Sequence, residues 1–130
     1  MRKLTLILLI LVSTNVFAEW TKVGHSKNYE MTNYVDVDSI KKKGNKVKLW
    51  KLIDYKTVQL FNNDRYLSMI VRIEFDCVEE TSLVLDDYGY SGNMRNDKRV
   101  WSHINSKNEL ISILPGGADD ILSKLTCGNK

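Results

Sequence analysis

The sequence predicts an α+β domain: a single antiparallel sheet of about five to six strands, with one C-terminal helix packed on one face and tethered by a disulfide. Three observations carry this expectation. Residues 66–77 alternate strictly between two sets of side chains, the two-fold period of a strand. After Pro115-Gly116-Gly117 the apolar residues Ala118, Ile121, Leu122 and Leu125 recur at helical spacing. The two cysteines, Cys77 and Cys127, stand at the ends of these two segments.

The first residues set the compartment. Met1-Arg2-Lys3 is a basic start, and the apolar run that follows over residues 4–12 is shorter than the ~20 residues that span a bilayer. Val16-Phe17-Ala18 then places small side chains where signal peptidase has shallow pockets. Residues 1–18 therefore read as a cleavable signal peptide cut after Ala18, and residues 19–130 as one exported domain of ordinary single-core size, destined for the periplasm or the cell surface. No Cys stands at the cleavage point for lipid attachment, and no transmembrane segment is expected in the mature chain.

The net charge is +3, from 19 basic and 16 acidic residues. Arg2 and Lys3 belong to the discarded leader, so the mature chain is close to neutral and makes no electrostatic case for nucleic acid. Both cysteines lie in the exported part, where oxidising conditions favour a Cys77–Cys127 disulfide. Closing a loop of about 50 residues restricts the unfolded chain by roughly 4 kcal/mol. A zinc site or redox pair would need a CxxC or a neighbouring His, and neither is present.

Alternation and turn residues place the other elements. Trp20-Thr21-Lys22-Val23 is a short strand ended by Gly24, and residues 33–37 form a second. Residues 38–45 read as a turn, because Gly44 and Asn45 tolerate the positive φ of a tight reversal. Residues 47–55 form a strand with no purely polar face, which makes it central, and residues 56–65, rich in Asn and Asp, read as a loop. In the next strand Leu67, Met69, Val71, Ile73, Phe75 and Cys77 face the core, and Tyr66, Ser68, Ile70, Arg72, Glu74 and Asp76 face a half-solvated side. Residues 81–90 are a strand with Leu83 and Leu85 on one face and Val84, Tyr88 and Tyr90 on the other; residues 91–98 lead into a returning strand at 99–102. Asp119 and Asp120 in the first turn of the final helix complement its dipole, and Gly128 stops it. At about ten residues that helix is too short to persist unaided.

Enzymatic signatures are absent. His25 and His103 each sit beside a Ser, but adjacency supplies neither an orienting third group nor an oxyanion site, so both read as solvated. No phosphate loop, HExxH or nucleophile elbow occurs, and nothing in the sequence asks for a cofactor or metal. Asp36-Val37-Asp38 lacks the Gly and third ligand of a calcium loop and reads as a turn capped by Asp38. Glu79-Glu80 and Asp86-Asp87 read as solvent-facing strand ends. The candidate binding feature is the basic cluster Lys41, Lys42, Lys43, Lys46 and Lys48, suited to sulfated glycans, plasma proteins or acidic lipid headgroups; as a solvated turn, the same lysines would protect a sheet edge. Trp20, Trp50 and Trp101, with the six tyrosines, are candidate partner anchors, and at least two of the tryptophans read as core fillers.

A set of ordered stretches resembles the bacterial surface-adhesin E family. They are Glu19-Trp20-Thr21-Lys22-Val23-Gly24, Tyr34-Val35-Asp36-Val37-Asp38-Ser39-Ile40 with Lys41-Lys42-Lys43-Gly44-Asn45, and Val47-Lys48-Leu49-Trp50. Leu52-Ile53-Asp54-Tyr55, Glu74-Phe75-Asp76-Cys77, Tyr90-Ser91-Gly92-Asn93-Met94, Ile113-Leu114-Pro115-Gly116 and Cys127-Gly128 continue the series over nearly all of residues 19–128. The resemblance implies a six-stranded antiparallel sheet with a disulfide-tethered helix. It also implies a non-enzymatic, exported binding protein, able to form a homodimer, that contacts host matrix or plasma proteins such as vitronectin, laminin and plasminogen. The alternative is a periplasmic, envelope-associated module that binds a protein partner along an exposed sheet edge and has no host ligand.

Overall fold

The computed structural model describes residues 19–26, 30–104 and 110–128; the signal-peptide expectation for residues 1–18 lies outside them. The strands are β1 (Trp20–Ser26), β2 (Met31–Asp36), β3 (Lys41–Lys43), β4 (Lys46–Phe61), β5 (Asp64–Asp76), β6 (Thr81–Tyr90), β7 (Arg99–Ile104) and β8 (Ile111–Ser112), and the helix is α1 (Ala118–Cys127). One antiparallel sheet runs in the order β1-β2-β4-β5-β6-β7, with β3 paired to β4 and β8 to β6 off this path. The long strand at residues 47–55 is central as expected, because both its faces carry apolar side chains that need cover.

The face toward α1 holds the main core. Val35, Val47, Leu49, Val71, Ile73 and Phe75 pack with Leu122 of the helix, and Val47 and Phe75 are fully enclosed. Burying a side chain such as Phe75 contributes about 1.5–3 kcal/mol. Cys77 and Cys127 are bonded, 50 residues apart in sequence, and fasten the end of α1 to the end of β5. Lys51, on the same face of β4, is 8% exposed and meets Asp119 in the first turn of α1 at 2.7 Å. These two ties set the rotation of the helix. As a result the stripe read from the sequence is only partly inward: Leu122 is buried, whereas Ile121 and Leu125 face solvent.

Several local expectations are corrected. Gly24 does not end β1; it sits at a register shift after Lys22, and pairing with β2 continues beyond it. Residues 38–45 are not one turn but a single 3-10 turn at Val37–Ser39 followed by the β3–β4 hairpin, which reverses at Gly44 with φ +59°. The turn is held by Ser39, not Asp38: its hydroxyl donates to the Asp36 carbonyl at 2.6 Å and accepts the Trp50 N–H at 2.8 Å. Residues 56–65 are not a loop. β4 and β5 run on as a protruding hairpin that closes at Asn62 and Asn63, with φ of 47° and 71°. Both central residues of such a two-residue reversal need positive φ, which Asn tolerates.

The second face of β5 is partly solvated, as expected, at Tyr66, Arg72, Glu74 and Asp76, but not at its middle. Ser68 and Ile70 are buried there, and Leu52, Ile70 and Tyr90 form a second core with Trp20, Tyr34, Trp50, Tyr88 and Met94 around it. In β6 a register shift opposite Arg72 and Ile73 interrupts the alternation. Val84 consequently packs toward the helix side, away from Tyr88 and Tyr90.

Candidate functional site

The sheet face opposite α1 concentrates aromatic rings and cations. Register places Trp50, Arg72 and Asp86 in one cross-strand row, and Tyr34, Leu52, Ile70 and Tyr88 in the next. Above the sheet, Arg72 lies over the Trp50 ring at 6.0 Å, Trp50 stacks with Tyr88 at 6.0 Å, and the Arg99 guanidinium covers Tyr88 at 4.3 Å. Cation–π contacts of this kind hold a guanidinium in place while leaving its N–H edge free. A groove of about 370 Å³ runs along this face, lined by Trp20, Asp36, Trp50, Ile70, Tyr88, Arg95 and Arg99.

A strained loop delivers Arg95 to the groove. Met94, Arg95 and Asp97 all have positive φ, at 54°, 62° and 67°, a conformation that costs a non-glycine residue of order 1–3 kcal/mol and persists only where its surroundings enforce it. The surroundings do so. Ser68, fully buried in β5, accepts the Arg95 N–H at 2.9 Å and donates to the Gly92 carbonyl at 2.6 Å. Asp54 accepts the Met94 N–H at 2.8 Å and the Asn93 side-chain amide at 3.1 Å. Arg95 and Arg99 both donate to the Tyr90 hydroxyl, at 3.3 and 3.4 Å. Burial alone would raise the Tyr90 phenol; the hydrogen bonds from Arg99 and Arg95, with their charge, outweigh it and hold the group below its ordinary value. Arg72 is ion-paired to the buried Asp86 at 2.7 Å, but among the described residues no carboxylate lies within 4.0 Å of Arg95 or Arg99.

The lysine cluster joins the same face. Lys41 pairs with Lys48 and Lys43 with Lys46 across the β3–β4 hairpin, so these four project from the side that carries Trp50. Lys46 and Lys48 flank Glu74 at 3.7 and 3.8 Å, which offsets part of their charge. Lys42 points the other way and donates to the Cys127 carbonyl at 3.0 Å, so it serves the helix. Arg95 and Arg99 were not singled out from the sequence as binding residues, and Tyr88 and Tyr90 entered only among the six tyrosines read as candidate anchors. The available signal was the Tyr88-Gly89-Tyr90 alternation followed by a Gly-Asn loop with two arginines.

The other candidates part company. His103 is in β7 and half-buried, bonded through Nδ1 to Asp87 at 2.8 Å, so it is not a solvated loop residue. Ser102 and His103 alternate to opposite faces of that strand and cannot form a nucleophile–base pair. Asp86 and Asp87 are partnered within the sheet instead of facing solvent as strand ends. All three tryptophans are half-buried: Trp20 and Trp50 border the second core, and Trp101 lies over Gly89. A larger cleft of about 550 Å³ adjoins the disulfide, but Asp76 and Asp120 in it are engaged by the N–H groups of Val78, Glu79 and Gly116 and by Lys124. Among the described residues no group of three His, Cys, Asp or Glu could hold a metal ion, and no helix is long and apolar enough to cross a membrane.

Comparison with known proteins follows the architecture. Residues 20–128 match the family profile described as surface-adhesin protein E. Structures of Haemophilus influenzae protein E are similar in fold: one superposes with a TM-score of 0.63 at 13% identity over 88% of this chain and 87% of that one. A second crystal form gives 0.66 at 13% identity, over 88% and 91%. Protein E from non-typeable Haemophilus influenzae gives 0.62 at 14% identity, over 88% and 78%. No curated protein matches the chain.

Proposed function

Since the chain belongs to the surface-adhesin protein E family, we propose that it is an exported, non-enzymatic binding protein that meets its partner with the sheet face opposite α1. The observation that carries this reading is the pair Arg95, delivered by a strained loop, and Arg99, at the start of β7, both set over tyrosine rings and left without a carboxylate partner among the described residues. Exposed, pre-oriented cations beside aromatic anchors are the composition of a recognition surface. Lys41, Lys43, Lys46 and Lys48 extend it. The leader over residues 1–18, cut after Ala18, takes the protein to the envelope, where the disulfide closes.

The test has two arms. Protease treatment of intact cells degrades the protein where it is displayed on the surface. Solid-phase binding of the exported protein to vitronectin, laminin and plasminogen should then saturate, and weaken when Lys41, Lys43 and Lys48 are replaced by Gln. Full protection from protease together with no saturable binding would reject the adhesin reading. It would favour the periplasmic module, for which the open edges of β1 and β7 offer backbone groups to a partner strand. Gel filtration of the exported protein at rising concentration tests the homodimer.

A further inference from the structure

We infer that the groove between Trp20, Trp50, Tyr88, Arg95 and Arg99 is a binding site for an acidic saccharide, one that carries carboxylate or sulfate groups on a hydroxylated ring. The inference rests on the binding-protein reading above and names the ligand class for its face. Three features of the groove select this chemistry. The Arg95 and Arg99 guanidinium groups are anchored from one side by Tyr90 and, for Arg99, stacked on Tyr88, so their remaining N–H donors are presented as forks suited to a carboxylate or sulfate. Asp36 stands at the opposite margin, away from the two arginines, as an acceptor for the hydroxyls of a ring whose acidic group lies at Arg95 and Arg99. The floor is Ile70 between the edges of Trp50 and Tyr88, a shallow apolar surface for the C–H face of a ring, without the deep pocket an anchoring peptide side chain fills.

The surroundings fit a polymer of such units. Lys48 lies two residues from Trp50 on the same face of β4, roughly 7 Å along the strand. Lys41, Lys43 and Lys46 continue outward from it. A chain with its acidic unit in the groove and further anionic units along the hairpin would meet Lys41 and Lys43, and Lys46 and Lys48 with part of their charge offset by Glu74, and affinity for it would be sensitive to salt. The loop that carries Arg95 holds three non-glycine residues at positive φ, and its strain is maintained by the buried Ser68 hydroxyl and the Asp54 carboxylate.

The exported protein is titrated with a sulfated, uronate-containing hexasaccharide. The controls are the desulfated, carboxyl-reduced hexasaccharide of the same backbone and a hexaglutamate peptide. Binding is read by tryptophan fluorescence, since Trp20 and Trp50 line the groove, and by calorimetry. The acidic hexasaccharide is expected to bind saturably and the neutral one not at all, with hexaglutamate at least about tenfold weaker. Arg95→Gln with Arg99→Gln should lower saccharide affinity at least about tenfold, the loss of charge-assisted hydrogen bonds. Tyr90→Phe, which leaves both cations but removes their anchor, should lower it by a smaller factor; this variant and an unchanged melting temperature guard against a folding defect. Equal affinity for hexaglutamate, or undiminished binding by the Arg95–Arg99 double variant, overturns the inference. Absence of saccharide binding in a protein that still binds an immobilised matrix protein overturns it too, and leaves the broader reading standing.

Discussion

Lys51 is buried on the helix side of the sheet, and its ammonium is tolerated there because Asp119 reaches it at 2.7 Å. Replacing Asp119 with Ala leaves a desolvated cation without a partner. Breaking a fully buried pair costs about 3–5 kcal/mol, and with the Asp119 side chain a third exposed the expected loss is about 2–3 kcal/mol in urea unfolding. The double replacement Lys51→Met with Asp119→Ala should recover most of that loss; equal instability of single and double variants would show that the pair is not what Asp119 provides. Tyr55 makes a pH-dependent contribution. Burial, and next the neighbouring Tyr66 phenol, push its pKa from 10.0 up to about 12. Below pH 10 the phenol is neutral in both states; between about 10 and 12 only the unfolded chain gives up the proton, so stability falls as pH rises through that window. Tyr55→Phe should flatten this alkaline loss while leaving stability at pH 7 within about 1 kcal/mol. Parallel stability curves for the two proteins from pH 10 to 12 would refute the assignment.

The protruding β4–β5 hairpin depends on Asn62 and Asn63, both in the left-handed region. Asn63→Gly should raise the urea midpoint slightly, and Asn63→Val should lower stability by about 1–2 kcal/mol, since a β-branched residue resists that conformation. Similar midpoints for the two variants would mean that the turn is not held in this form. The same hairpin shows where reading the sequence falls short. Residues 66–77 were legible as a strand because their alternation is unbroken, residues 47–55 because neither of their faces is purely polar, and the Cys77–Cys127 bond was expected from two cysteines in the part read as exported. Residues 56–65 were not, because Asn62-Asn63-Asp64 has loop composition whether it closes a two-residue hairpin or a long excursion. The outward turn of Ile121 and Leu125 was equally hidden. Apolar spacing gives a stripe, but the rotation of so short a helix is imposed by the disulfide and by Lys51, both distant in sequence. The groove was least legible of all: it brings Trp20, Trp50, Tyr88 and Arg99 from four strands to one face, and only the folded loop adds Arg95.

Two cores on opposite faces of one sheet divide the molecule's tasks. The helix side, with Phe75, Ile73 and Leu122, holds the chain together, and the opposite side, with Trp50, Tyr88 and Arg99, carries the groove. The covalent link belongs wholly to the first. α1 is held on its core by Leu122, the Lys51–Asp119 pair and the Lys42 bond to Cys127, and ten residues of helix have too little cooperativity to remain folded once released. Replacing Cys77 and Cys127 with Ala frees a loop of 50 residues in the unfolded chain, which should cost roughly 4 kcal/mol, a large share of the ~5–15 kcal/mol by which small domains are stable. Because the groove is built from strands and from a loop tied to Ser68 and Asp54, that loss should leave its geometry intact in the molecules that stay folded. Hydrogen exchange on the variant should therefore show the α1 amides unprotected while those of β4 and β5 keep most of their protection. Stacking of Trp50 on Tyr88 should persist in the near-ultraviolet circular dichroism. Uniform loss of protection across helix and sheet, with disappearance of that aromatic signal, would mean that the two faces form one cooperative unit and that the groove side needs the disulfide as much as the helix does.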